Sequence, residues 1–583
     1  MTLFAARRQP QHHGYRHVPS TQPQHHPHYD DPSSTESDDD RSVELLEVPD
    51  VELACKAYAS HHRSRSNSSL SSLSSIISSF APGTHGYIRA ASPRSRVRLA
   101  RRVVHVALLA LALWIFVTPI INPSYTHRPY HYSGMNLRRE KVFIAANIID
   151  EELIRGPWGE SVEALVELLG EDNVFLSIYE NDSGPGTKAA LRDLAAKVKC
   201  RTSIVSDHID IDAFPKVQVL PNEQRVKRIA YLAHVRNKAI EPLTRNATGM
   251  LFDKLLFLND VIFSPKDAAD LLFSTNIGPD GATRYHAACA MDFINPFKYY
   301  DTFATRDAEG HGLGVPFFPF FTSAGHGFSR ADMLAGTDAV RVKSCWGGMV
   351  AFEAKWFVDQ RSGLLLEAPD KLGSQSSTKP DGDERTRKTT TANVPSQQPT
   401  RPKQVRFRSL PELMWDASEC CLIHADIGEL AAKNPEPWEN PQALDHGIYM
   451  NPFIRVAYDS RTHSWLEFTR RFERLYPIAQ SFVNWLVSRP PYQARRAEVP
   501  GTVVWRRGWV FDGPVRDDVN RSRLHSHAIT DEVAKFGHWE DIRQIASPGG
   551  FCGGRQLLLL KPQPWMPGER IWYKITPPKG AED

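Results

Sequence analysis

From residue 141 onward two hydrophobic rhythms alternate along the chain. "KVFIAANII" (Lys141 to Ile149) is a nearly continuous apolar run, as expected of a strand covered on both faces. In "SVEALVELLG" the apolar residues Val162, Leu165, Val166 and Leu169 follow the i, i+3, i+4, i+7 spacing of one helix face, and Gly170 closes the segment. The pair then repeats. "NVFLSIYE" predicts a second strand, "NDSGPG" a turn, and Leu191, Leu194, Ala195 and Val198 mark the inner face of another helix. "CRTSIVS" predicts a third strand, about Asn222 to Ala239 a long helix, "KLLFLND" a fourth strand and "YHAACAMDF" a fifth. Such alternation predicts an α/β domain, a mostly parallel sheet flanked by helices.

The chain before this region has a different character. Residues 1–100 run through His/Gln-rich stretches, the acidic "TESDDD" and "SRSNSSLSSLSSIISS", a composition that buries too little apolar surface to offset chain entropy. A disordered cytoplasmic tail is expected there, for targeting or phosphorylation. Next comes an apolar stretch from Val103 to Ile121, interrupted at His105 and Thr118. It approaches the ~20 residues that span a bilayer as a helix. It lies too far from residue 1 for an ordinary cleaved signal peptide. Arg89, Arg94, Arg96, Arg98, Arg101 and Arg102 precede it, so the positive-inside rule predicts a single-pass type II anchor over 101–122 with all that follows lumenal. Residues 123–140 read as a stem and 141–370 as the first part of a catalytic domain. The polar 371–404 ("GSQSSTKPDGDERTRKTTTANVPSQQPTRPK") reads as a disordered insertion, 405–499 as the rest of the domain, and the Trp/Gly/Pro-rich 500–583 as an appended segment.

Charge adds little: 70 Lys and Arg against 67 Asp and Glu leave +3, with no basic run interleaved with aromatics for nucleic acid. Cys55 precedes the anchor, while Cys200, Cys289, Cys345, Cys420, Cys421 and Cys552 follow it. These six are open to disulfide pairing that sequence does not specify. Sequons occur at Asn181, Asn246 and Asn520. Neither GxSxG nor HExxH is present, so nothing points to a hydrolase.

The candidate chemistry lies where predicted strands end, since open parallel sheets bind ligands at the carboxyl ends of their strands. The first strand leads to Asn147 and Asp150. The second ends in "YENDSGPG", where Glu180 and Asp182 can accept hydrogen bonds from ribose hydroxyls or a base, or cap the following turn. On the predicted long helix, Arg225, Arg228 and Arg236 fall within an arc of roughly 80°. Arg suits a diphosphate, and Arg236-Asn237 near the helix end is the most suggestive pair. "LLFLNDVIFSP" stops a buried strand on Asn259 and Asp260. Asp260 can supply one ligand to a divalent cation, with Asn259 as a neutral oxygen and His424 of "IHAD" as a further ligand.

Together these features resemble a GT-A glycosyltransferase. "AANIIDEELI", "YENDSGPGTKAALRDL", "LFLNDVIFSPKDAADLL", "CAMDF", "YYDTFATRDAEG", "SCWGGMVAF", "ECCLIHADI" and "IYMNPFIRVAY" occur in this order. The set resembles the fungal capsule-associated glycosyltransferase family, which includes the cryptococcal α-1,3-mannosyltransferase, over about Lys141 to Tyr458. The resemblance implies a GT-A-like fold and a Golgi or other secretory-pathway membrane. It implies transfer of mannose from GDP-mannose to a mannoside or oligosaccharide acceptor, in α-1,3 linkage with retention, for cell-surface or capsule glycan. It also implies Mn2+ or Mg2+. Asp292, Asp307 and Glu353 are then the carboxylates to consider for contact with the transferred or acceptor sugar, and Trp346 for stacking on the acceptor. Met349 and Val350 stand where some inverting galactosyltransferases carry Glu-Asp in a WGGED motif. Two alternatives stand beside this reading: a GT-A transferase with another nucleotide-sugar donor, and a catalytically silent membrane protein that binds or exports glycan.

Overall fold

The computed structural model describes residues 93–220, 223–245, 247–358, 404–489, 495–512, 533–562 and 571–581. The tail before residue 93, the polar insertion over 371–403, Cys55 and the sequons at Asn246 and Asn520 lie outside them.

Four parallel strands form the heart of the domain: β1 (Val142–Asn147), β2 (Val174–Asn181), β3 (Arg201–Asp207) and β4 (Lys254–Leu258). Every residue of β4 is buried. Full burial of side chains such as Leu255, Phe257 and Leu258 stabilises the fold by about 2 kcal/mol each. Helices α2 (Pro157–Leu169), α3 (Pro185–Lys197), α4 (Arg228–Ala239) and α5 (Pro265–Ser274) lie between or after these strands. Val162, Leu165, Val166 and Leu169 of α2 are all buried, as their spacing predicts.

The sheet continues through β5 (Ala287–Asn295), β6 (Val340–Ser344), β7 (Met349–Glu353) and β8 (Ile448–Ala457), with α6 (Glu419–Ala431) between β7 and β8. Its order is β3-β2-β1-β4-β7-β5-β8-β6, ending on the short strand Arg306–Asp307. β7 runs antiparallel to both neighbours, β4 and β5. The expected mostly parallel sheet flanked by helices is therefore present, with β7 reversed in its middle and β6 reversed near one edge.

Three expectations are corrected. The predicted helix over about Asn222 to Ala239 begins at Arg228, because Lys216–Leu220 pairs antiparallel with Glu223–Val226. Arg225 thus lies on a strand, ion-paired with Glu223, and does not share a helix face with Arg228 and Arg236. The stem is not a free spacer: Ser124, Tyr125 and Tyr132 are buried in the domain, and Arg128 Nη1 reaches Asp267 at 2.6 Å and Asp270 at 3.2 Å. Nor is the C-terminal segment merely appended. A disulfide joins Cys552 to Cys421 of α6, Gly553–Gly554 pairs with Asp416–Ala417, and Leu559 bridges to Lys227. A second disulfide, Cys289–Cys345, ties β5 to the turn before β7.

Candidate active site

The carboxyl ends of β1, β2 and β4 form one edge of the sheet, and Asp260 stands there two residues beyond β4. Asn259 beside it is held on every side. Its amide N–H donates to the Gly348 carbonyl (2.9 Å), and its carbonyl accepts from the Trp158 indole (2.9 Å). Its side-chain Oδ1 accepts from Arg236 Nη1 and Trp346 Nε1, both at 3.2 Å. That oxygen is occupied by protein donors, so Asn259 orients the site rather than offering a free ligand atom.

Arg236 comes from the last turn of α4. Its Nε donates to Glu419 Oε1 (3.0 Å), and its guanidinium lies 4.5 Å from the Trp346 ring centroid and 5.2 Å from that of Phe257. Trp346 is 3% exposed, so it cannot stack on an acceptor sugar as expected; it holds Arg236 and Asn259 from below. The two glycines after it explain the "WGG" stretch. Gly347 and Gly348 have φ of +58° and +70°, and a Cβ at Gly347 would fall 2.0 Å from the Ala290 carbonyl oxygen.

Asp260 is half-buried, and its carboxyl is raised above the ordinary range. Burial is the main cause; Arg236 opposes it and Asp150 adds to it. Asp150 caps the helix Glu151–Arg155, accepting from the Leu153 amide at 2.9 Å. The carboxylate neighbour of Asp260 is therefore Asp150, at the end of the adjacent parallel strand. A divalent cation fits this donor set, since two hard carboxylates at partial burial are what it would neutralise.

One layer behind, Asp292 of β5 is 1% exposed. Its Oδ1 accepts from the Asp301 amide (3.0 Å) and its Oδ2 from the Tyr458 hydroxyl (2.8 Å). Burial, reinforced by Asp301, pushes its carboxyl up to about 7. Tyr458 lies in the field of both Asp292 and Asp260. Asp292 thus reaches toward the site through Tyr458 and does not open onto it.

Two strands over, Glu180 is 1% exposed; its Oε1 accepts from the Ser183 amide (2.8 Å), and its Oε2 has no partner. Asn147 Oδ1 and Tyr179 Oη are likewise buried without partners, and Asn147 and Tyr179 are paired in register. Asp182, at φ +59°, is taken up by His208 Nδ1 (2.6 Å) and the Ile209 amide (3.2 Å), stitching β2 to the chain after β3. The sequon Asn181 is half-buried and donates to the Tyr231 hydroxyl at 2.7 Å.

The remaining expected residues lie elsewhere. Asn237 clamps the Phe407 backbone, Nδ2 to its carbonyl (2.8 Å) and Oδ1 from its amide (3.0 Å). Arg228, two helical turns before Arg236, packs over Trp572 at 4.7 Å beside Asp416. His424 is fully buried against the Cys289–Cys345 disulfide, with Nδ1 2.7 Å from the Cys420 carbonyl. Burial lowers its pKa to about 4, and it does not join Asp260. His424, Cys289 and Cys345 form a compact trio, but both sulfurs are spent in the disulfide. Asp307 caps its own turn, accepting from the Glu309 and His311 amides at 2.9 and 2.7 Å, on the far flank of the sheet. Glu353 pairs in register with Lys254 at the start of β4, so a strand length of roughly 13 Å separates it from the Asp260 edge.

Sequence reasoning left Tyr458, Glu419 and Asp301 out, and it noticed Asp150 without joining it to Asp260. Asp150 carries a readable signal, a cap residue directly before "EEL". The others are brought in by strands and helices distant in sequence.

The fold is thus a mostly parallel sheet with helices, and the carboxylates Asp260 and Asp150 follow adjacent strands at its edge. Residues 141–426 match the family described as cryptococcal mannosyltransferase 1. Among solved structures, the mannosyltransferase PcManGT from Pyrobaculum calidifontis, in complex with GDP-Man and Mn2+, is similar at 11% identity and a TM-score of 0.26. That similarity covers 65% of this chain and 74% of that one. No curated protein matches the chain.

Proposed function

We propose that this chain transfers mannose from GDP-mannose to a mannoside or oligosaccharide acceptor, forming an α-1,3 bond with retention at the anomeric carbon. It acts as a single-pass type II protein anchored by residues 100–121, with the catalytic domain in the lumen of the Golgi or another secretory compartment. The observation that carries the reading is the charge arrangement beyond the ends of β4 and β1, where Asp260 lies in the field of both Asp150 and Arg236. Asp260 and Asp150 are the residues that would hold Mn2+ or Mg2+. Once bound, such a cation neutralises the diphosphate as it leaves.

The chain's own residues do the rest. A guanidinium carries five donors, and the bonds of Arg236 to Glu419 and Asn259 fix its orientation while leaving others for a phosphate oxygen. Glu180 Oε2, Asn147 Oδ1 and Tyr179 Oη are acceptors or donors in wait for the base and ribose. Asp292 holds the Tyr458 hydroxyl beside the transferred sugar. With Met349 and Val350 buried in β7, no base stands where an inverting enzyme of the WGGED type keeps one. Same-face attack, in which the departing diphosphate itself takes the acceptor proton, suits that arrangement.

The test is transfer by the detergent-solubilised full chain, with GDP-mannose or UDP-sugars as donors and an α-mannobioside as acceptor, and the product linkage read by NMR. An α-1,3-mannosyl product formed from GDP-mannose supports the proposal. Transfer from a UDP-sugar overturns the donor assignment, and glycan binding without any transfer favours the silent glycan-binding reading.

A further inference from the structure

Helix α8 (Pro477–Leu486) is inside out. Its polar residues Gln480 and Asn484 are the buried ones: Gln480 Oε1 accepts from Arg330 (2.6 Å), and Asn484 Oδ1 accepts from the Val315 amide (2.7 Å). Its apolar residues face out, with Ile478 76%, Phe482 59%, Trp485 74% and Leu486 52% exposed. The preceding helix α7 (Ser460–Thr469) adds Trp465 and Phe468, 50% and 53% exposed. A soluble surface helix has the opposite polarity, and a contiguous patch of this kind marks a contact with something apolar.

The turn joining these helices identifies the contact. Helix α1 (Pro93–Ile121) packs the end of its apolar segment against Arg470–Leu475, and Pro119 is buried there. Arg470 Nη1 then donates to the Tyr125 carbonyl (2.9 Å), and the Tyr125 hydroxyl donates to the Met333 carbonyl (3.0 Å). The apolar helix therefore passes into the domain without a slack linker, against the segment that joins the two aromatic helices. Its 22-residue segment from Ala100 to Ile121 is long and apolar enough to cross a membrane. Where it leaves the hydrocarbon, α7 and α8 are at the headgroup level, the depth at which Trp and Phe side chains are stabilised.

The geometry points to the α7–α8 face as a second, monotopic contact with the lipid bilayer, seating the catalytic domain on the membrane in one fixed orientation. This inference rests on the proposed membrane span at residues 100–121. The occupant is the interfacial region of the bilayer itself, beside the anchor of the same chain.

The test uses the full chain reconstituted into phosphatidylcholine vesicles, with Cys55 and Cys200 replaced by serine and the buried Cys420 by alanine. An NBD fluorophore is placed at Trp485→Cys, in a separate preparation at Ile478→Cys, and as a control at Val205→Cys. Val205 is 45% exposed on β3, the opposite edge of the sheet. Quenching by acyl-chain nitroxide lipid is expected to be several-fold stronger at positions 478 and 485 than at 205. Equal, weak quenching at all three positions in protein that resists carbonate extraction overturns the interfacial contact and leaves the span intact. Release of the protein by carbonate overturns both. A probe shielded from lipid, with cysteine cross-links at position 485 between chains, overturns it in favour of a second copy.

Discussion

Charged side chains gather at both ends of the central strands, and the two gatherings differ in whether they are complete. At the end where β4 begins, His286 is 1% exposed with Nδ1 2.8 Å from Glu353 and Nε2 3.0 Å from Glu439. Lys355 Nζ reaches Glu353 at 3.0 Å and Glu436 at 2.9 Å, and the Trp356 and Trp438 rings close over the imidazole at 5.0 and 5.1 Å. Each of these charges has a partner, and the one buried polar atom left without a partner among them is the neutral Trp356 Nε1. At the other end the Asp260 carboxyl is raised, by burial and by the nearby Asp150, and buried polar atoms at the ends of β1 and β2 have no partner. Ionisable clusters are equally visible in both places. The unfinished one is where a ligand belongs, because burying a polar group without a partner costs about 1–3 kcal/mol unless something binds.

That contrast can be broken by substitution. The largest effect is expected at Arg236. Arg236→Lys removes the fork that joins Glu419, Asn259 and a phosphate, and should lower the transfer rate by about 10²-fold, measured as kcat with saturating donor. Glu353→Gln should do the reverse: transfer within about twofold of wild type, but stability lower by about 1–3 kcal/mol, read from urea unfolding. A large loss of kcat with unchanged stability would return Glu353 to the list of sugar-contacting residues.

Asp292→Asn sharpens the comparison through pH. The folded-state pKa of Asp292 is raised by burial and by Asp301, to about 7 from an ordinary 3.8. Its protonated form is the one the fold favours, so its contribution is fully present below the ordinary value and is lost as pH rises toward 7. Asparagine keeps both acceptor contacts on one oxygen at most and does not titrate. Tm should therefore fall less between pH 4 and 7 in the variant than in wild type. The smallest effect is expected for His424→Gln. It should leave Mn2+ affinity, measured by metal titration, within about twofold, because ligand loss costs far more than that.

The rhythm of the strands and helices made the sheet readable, and the abrupt stop of "LLFL" on Asn259-Asp260 made its edge readable. The direction of β7 was not. An antiparallel strand inserted between β4 and β5 reverses which end of "MVAFE" meets the ligand edge, and that choice is made by pairing partners far away in sequence. Glu353 therefore pairs with Lys254 at the start of β4, away from the Asp260 edge. Asn237 looked like part of a phosphate site because its partner, the Phe407 backbone, lies 170 residues on. The helix expected from Asn222 ran over Glu223–Val226, the return strand of a hairpin whose first strand does show a period-2 signal, with Val217 and Val219 alternating with Lys216 and Gln218. The packed stem escaped notice because Tyr125 and Tyr132 are isolated aromatics among polar residues, without a period to mark them.

The central claim is that Asp260, with Asp150 and Arg236, forms a cation-dependent diphosphate site. The direct measurement is calorimetric titration of GDP into the full chain, with and without Mn2+, for wild type and Asp260→Asn. The account predicts GDP binding that requires Mn2+ and disappears in Asp260→Asn while circular dichroism stays unchanged. GDP binding of equal strength in the variant, or binding indifferent to the metal, would contradict it.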